Sequence, residues 1–223
     1  TTRATAPPLP KPTILKSKGP VRLVVIGTST GGPPALRTIL SGLPVSFSLP
    51  IVCVQHISEG FLPGLLEWLT SECRIPVRVA RAGESPLPGI IYFPPEQTHL
   101  LFDQQGRFVT SQEPPVDGHR PSVSLTMRSA AASYGPEVLG ILLTGMGKDG
   151  AEGLLRIAQA GGITIAQDEA SSVVFGMPKQ AIDLGAAKYV MSLAEVADTL
   201  RNGIGSEARG ESDYLKNKPG KRT

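Results

Sequence analysis

The feature that most constrains this 223-residue chain is a repeating unit in which a short, nearly continuous apolar run gives way to a segment with helical spacing. The run from Val21 to Ile26 ends at Gly27. Pro33 and Pro34 follow, which suit a helix's first turn, and then Ala35, Leu36, Ile39, Leu40 and Leu43 recur at helical intervals. The unit returns as IVCVQ (51–55) before a helix near 61–70, VLGILL (138–143) before one near 150–160, and ITIAQ (163–167) before one near 176–184. KYVM then precedes a last helix near 193–202. Strands this continuously apolar are buried on both faces, and their alternation with helices predicts an α/β fold. The sheet is expected to be doubly wound and mostly parallel, with helices on both faces. The stretch 87–110 differs, with turn residues at Pro94, Pro95, Gln105 and Gly106 between short β-prone runs, and predicts a small antiparallel excursion. Doubly wound sheets bind ligands beyond the carboxyl ends of their strands, so chemistry is sought at the strand-to-helix junctions.

The first junction reads Gly27-Thr28-Ser29-Thr30-Gly31-Gly32. G-x-S-x-G between strand and helix is the pattern of a nucleophile elbow, in which glycines allow a sharp turn that presents the serine hydroxyl. The competing reading is a loop whose amides cradle a phosphate at a helix N-terminus. A serine nucleophile needs a base, and the chain has three histidines. His56 directly follows IVCVQ and so shares the sheet edge with Ser29. His99 lies in a β-rich stretch where a histidine is usually structural, and His119, in a loop before Arg120-Pro121, remains open as the base. No histidine follows His119, which excludes the serine–acid–histidine order of the α/β-hydrolases. Asp149 and Asp168 both come just after apolar strands and are equal candidates for the acid.

The segment Gly145-Met146-Gly147-Lys148-Asp149-Gly150 also matches G-x-G-x-x-G after a strand, with Asp168 at the end of the next one. By sequence criteria this is a dinucleotide-binding fingerprint. Two features weigh against it: several elements precede the loop, and a carboxylate inside it would repel a pyrophosphate.

Charge excludes another class. Residues 1–22 carry five basic side chains (Arg3, Lys11, Lys16, Lys18 and Arg22) and no acid, and the last eighteen residues are also basic, although the whole chain is only +3. The body between them is net negative, which argues against a nucleic-acid groove. Cys53 and Cys73 lack neighbours at metal-ligand spacing, so neither a disulfide framework, a metal site nor a cofactor is expected. No apolar stretch is long enough to span a membrane and no signal segment opens the chain, which predicts a cytoplasmic protein with no membrane insertion.

Taken together, IGTSTGGPPAL (26–36), QHI (55–57), GHRPSVS (118–124), ILLTGMGKDGAEG (141–153) and AQDEASSVVFGMP (166–178) resemble the catalytic domain of the chemotaxis protein-glutamate methylesterases. These are the bacterial enzymes that demethylate chemoreceptors. The resemblance implies a serine hydrolase with Ser29 as nucleophile, His56 as base and Asp149 as the acid that orients it. It also implies an oxyanion hole to which the amide of Met146 contributes. Thr30 is expected either to support His56 through its hydroxyl or to make a helix N-cap contact. Ser124 stands where relatives usually carry an acid. The implied partners are the methylated cytoplasmic region of chemoreceptors and an upstream receiver domain; receptor glutamine is a second possible substrate. The expected organisation is a flexible proline-rich linker over 1–20, a methylesterase catalytic domain over 21–205 and a disordered tail over 206–223. Arg120 is read either as a contact for an acidic receptor segment or as a structural residue.

Overall fold

The first apolar run forms β1 (Leu23–Thr28), with all six residues buried, in a computed structural model that describes residues 15 and 19–202. Its alternate side chains go to opposite faces, as a strand's period of two requires. Val24 and Ile26 join one apolar cluster, and Leu23 and Val25 join the other. Two-sided burial therefore explains the nearly continuous apolar pattern.

Around β1 lie β2 (Ile51–Gln55), β3 (Val77–Val79), β4 (Ile91–Phe93), β7 (Val138–Leu142), β8 (Ile163–Gln167) and β9 (Tyr189–Met191). The seven-stranded sheet has the order β3-β4-β2-β1-β7-β8-β9, and every neighbouring pair is parallel. Helices α1 (Gly32–Leu40), α2 (Leu62–Glu72) and α6 (Leu193–Asn202) contribute buried residues to one face. Helices α3 (Val123–Tyr134), α4 (Ala151–Gln159) and α5 (Met177–Asp183) cover the other, together with a hairpin of β5 (His99–Phe102) and β6 (Phe108–Ser111). The antiparallel excursion is thus this hairpin, while the run at 91–93 pairs with the main sheet. The α3 helix is an addition to the sequence-based picture.

Chain order reverses at β1, which has β2 on one side and β7 on the other. That switch point is where an open α/β sheet leaves a crevice. Register aligns Thr28 with Gln55 and Gly27 with Leu142, so the residues just past each strand end converge there. Of the predicted linker, Leu15 is buried in the core; residues 1–14 and 16–18, like the tail over 206–223, lie outside the described residues. No helix among the described residues is long and apolar enough to cross a membrane.

Helices α3 and α4 meet at Gly153, where an added Cβ would lie 2.8 Å from the Ser124 backbone. A backbone cannot rotate aside, so Gly153→Ala is expected to lower stability by about 1–3 kcal/mol through overpacking. Gly64, inside α2, has nothing within 4 Å of its Cβ position. There Gly64→Ala is expected to gain up to about 1 kcal/mol from helix propensity alone. Urea unfolding of the two variants checks the opposite signs.

Candidate active site

Ser29 leaves β1 at the turn into α1, whose N-cap, Gly31, has φ 80°, a left-handed conformation that favours glycine. The turn is held from three sides. The Ser29 amide donates to the Thr144 carbonyl at 3.0 Å, and Thr144 Oγ1 donates to the Thr30 carbonyl at 2.9 Å. From β2, the buried Gln55 side chain donates through Nε2 to the carbonyls of Ser29 at 2.9 Å and His56 at 2.7 Å. One amide group therefore fixes the backbones of both residues. The His56 amide in turn donates to Thr28 O at 3.0 Å. Ser29 and His56 line one open cleft of about 340 Å³, with Thr30, Gly31, Ile57 and Phe61 on its walls.

Asp149 follows β7 and is buried, with its carboxylate at the start of α3. His56 Nε2 lies 2.9 Å from Oδ2. Val123 N donates to Oδ2 at 2.7 Å. Ser122 Oγ, Ser124 N and Gly150 N each donate to Oδ1 at 2.9 Å. Ser122 is also the N-cap of α3, and its own amide donates to Nδ1 of the buried His99, whose Nε2 lies 3.2 Å from the Pro114 carbonyl. A carbonyl accepts only, so His99 carries its proton on Nε2. Burial pushes the Asp149 carboxyl up, but the hydrogen bond from His56, that from the Ser124 amide and the charge of His56 outweigh it, bringing the value down to about 2.

These contacts separate the sequence alternatives. Asp149 reaches His56, whereas Asp168 Oδ1 is engaged locally by Ser171 N and Oγ. His99 braces Ser122, and His119 stacks on His56 with ring centroids 3.6 Å apart. The second ring nitrogen of His56, Nδ1, is buried and has no hydrogen-bond partner, so the contact between base and serine is not closed. The Thr30 hydroxyl bonds neither His56 nor a helix amide among the described residues; the N-cap role belongs to Gly31, without a side-chain bond. Met146 is exposed on the loop after β7. Ser124 Oγ accepts from Gly150 N at 2.7 Å. A hydroxyl there supplies the acceptor without a second negative charge beside Asp149. Gly150 N, which a dinucleotide loop would offer to phosphate, is thus spent on Ser124 and Asp149. Arg120 Nη1 donates to the carbonyls of Gln112 and Glu113, while its Nε is buried without a partner. Sequence reasoning missed Gln55 and Ser122. Each is a polar residue buried at an element's end, where polar side chains are kept for the bonds they make: Nε2 of Gln55 and Oγ of Ser122 are paired, whereas Oε1 of Gln55 is buried without a partner.

Comparison with known proteins identifies the family. The model of the CheB methylesterase family matches residues 24–200. A protein-glutamate methylesterase/protein-glutamine glutaminase of Nitrosospira multiformis is 45% identical over 199 residues, covering 89% of this chain and 56% of that protein. A Methanospirillum hungatei protein of the same description is 50% identical over 182 residues, covering 82% of this chain and 52% of its own. The chain thus spans a little over half the length of these relatives. The crystal structure of the Thermotoga maritima CheB methylesterase catalytic domain superposes with a TM-score of 0.78 at 38% identity, covering 82% of this chain and 98% of that one.

The Asp149 contacts have a measurable pH signature. Its folded value of about 2 lies below the ordinary 3.8, so its ionised form adds stability that is complete above pH ~4 and lost as pH falls towards ~2. Between those limits the wild type is expected to lose on the order of 2 kcal/mol that Asp149→Asn does not. Urea unfolding at stepped pH measures the difference, and parallel stability curves for the two proteins would contradict it.

Proposed function

Since the chain belongs to the CheB methylesterase family, we propose that it is a serine hydrolase that removes methyl esters from glutamate side chains of chemoreceptors. Ser29 is the nucleophile, His56 the base and Asp149 the orienting acid. The observation that carries this reading is the 2.9 Å contact from His56 Nε2 to a buried, multiply bonded Asp149, in the cleft that Ser29 also lines.

With Nε2–H committed to Asp149, the lone pair of the imidazole sits on Nδ1, the nitrogen without a partner. Ser29 Oγ attacks the ester carbonyl as its proton passes to Nδ1. The tetrahedral intermediate then collapses, and Nδ1 returns that proton to the departing methoxide, releasing methanol. Water attacks the glutamyl-serine ester, giving its proton to Nδ1. Ser29 recovers a proton from the same atom as glutamate leaves. Asp149 stays ionised throughout and stabilises the imidazolium. The amides of Thr30 and Met146 donate to no acceptor among the described residues and are assigned to the oxyanion. The same acyl chemistry deamidates glutamine, with ammonia leaving in place of methanol, in keeping with the second half of the relatives' description. The substrate is the cytoplasmic methylated region of a chemoreceptor, which places the reaction in the cytoplasm. The implied receiver domain belongs to sequence outside this chain.

Ser29→Ala is expected to abolish methanol release from methylated receptor and labelling by a fluorophosphonate probe. Given what nucleophile removal does in other serine hydrolases, kcat should fall by about 10⁴-fold or more. An alanine variant with wild-type turnover would end the assignment.

A further inference from the structure

His119 has no place in the triad, yet it lies against it. Its ring stacks on His56 with centroids 3.6 Å apart and planes 7° from parallel. The loop that carries it is built to hold it there. Val116 and His119 exchange backbone hydrogen bonds of 3.1 and 2.9 Å, closing a turn whose central residues, Asp117 (φ 51°) and Gly118 (φ 82°), are both left-handed. This is the pattern of a tight type I′ turn. Its tip is tied to the loop after β7 by Lys148 Nζ to Asp117 Oδ1 at 3.0 Å, and its far side by the two hydrogen bonds of Arg120 Nη1.

His56 needs what such a stack supplies. The terminal torsion of a histidine is broad, so rotamer preference does not set the plane of the ring. The hydrogen bond to Asp149 fixes one nitrogen but permits rocking about that contact, and rocking displaces Nδ1 from the serine. A parallel ring against the face removes that freedom. Electrostatics points the same way. The imidazolium formed during reaction is attracted by a neutral aromatic face and repelled by a second cation. Burial, and then the nearby His56, push the His119 value down, while Asp149 and Asp117 push it up less strongly. Two cations flank the turn: Lys148, which is paired with Asp117, and Arg120, whose Nη1 donates to the carbonyls of Gln112 and Glu113.

We propose that His119 is a positioning residue that acts through the face of its ring, holding the plane of His56 towards Ser29 and lying as a neutral partner beside the imidazolium. This rests on the esterase reading above, because only a His56 that takes and returns a proton gains from it.

The 223-residue chain with His119→Ala and with His119→Phe provides the test. Two quantities are read: kcat and KM for methanol release from methylated receptor, and the NMR shifts of the His56 ring protons, which sense the ring current of a stacked neighbour. The alanine variant is expected to lose the ring-current shift and about three- to tenfold in kcat, with KM within about twofold, on the usual worth of an aromatic pair. Phenylalanine keeps a stacking face without a titrating group and should restore both quantities to within about twofold. Unchanged kcat in His119→Ala alongside a lost ring-current shift overturns the proposal. So does a phenylalanine variant that keeps the shift but is as slow as alanine, since His119 would then act through its nitrogens. A wild-type chain that releases no methanol defeats the esterase reading and this one with it, whereas an active wild type equalled by His119→Ala defeats this one alone.

Discussion

The Asp149 carboxylate, buried against the first turn of α3, is the interaction on which the rest of the site depends. A bare carboxylate in that position would be too costly to keep ionised. Three donors from Ser122, Val123 and Ser124 and one from Gly150 make it tolerable, and the positive end of the helix favours the same charge. This satisfaction sets geometry as well as energy. Because the donors come from the starts of two helices, the carboxylate fixes α3 against α4 and leaves an Oδ2 edge for His56. Even the buried His99 serves this arrangement, since it holds the amide of Ser122.

The nucleophile side is organised differently. Ser29 and His56 are held by neutral groups: the amide of Gln55 on two carbonyls, Thr144 on the Thr30 carbonyl, and Gln167 Oε1 accepting from the Thr144 amide at 2.8 Å. Neutral donors pin the backbone as firmly as ions would, without adding a field at the base. Among the described residues, the one buried negative charge in contact with His56 is Asp149, the group proposed to stabilise its imidazolium. Separating charge from scaffolding in this way lets the sheet edge be rigid while a single residue sets the electrostatics.

The alternating apolar runs made the central sheet legible, because two-sided burial keeps β1, β2, β7 and β8 apolar apart from Thr164 and the terminal Thr28, Gln55 and Gln167. Strand ends then pointed to Ser29 and His56 as neighbours, with Asp149 and Asp168 equally placed to join them. The short strand β3, whose residues are only partly buried or exposed, lacks the apolar signal, and the 91–93 run was assigned to the hairpin because turn residues surround it. Helix α3 was harder to see. Its stripe at Val123, Met127, Ala130 and Ala131 is weak in alanines, and its start lies within the segment read as a motif. The acid was beyond reach of local pattern, since Asp149 and Asp168 occupy equivalent strand ends. Only the placement of α3, a tertiary fact, gives one of them its donors. The stacking of His119 depends likewise on tertiary structure, the tight turn at Val116–His119 that sets its ring on His56.

The same dependence explains why the loop after β7 imitates a dinucleotide-binding fingerprint. In both cases glycine serves to let something approach the backbone closely. A pyrophosphate loop admits a ligand; here the approaching groups belong to the protein. A Cβ on Gly145 would lie 2.8 Å from the Cβ of Ser29, and one on Gly150 would meet the Val123 side chain at 2.8 Å. The space these glycines open is filled by Met177 and Ser29 on one side, and by Leu142 and Val123, the first residue of α3, on the other. The amide of Gly150 that would have met phosphate meets Asp149 instead. A helix N-terminus attracts an anion in either case, and in this fold the anion is a side chain of the same chain. The acidic residue that spoils the loop as a cofactor site is therefore the residue that holds His56, in keeping with the proposed role of orienting a base.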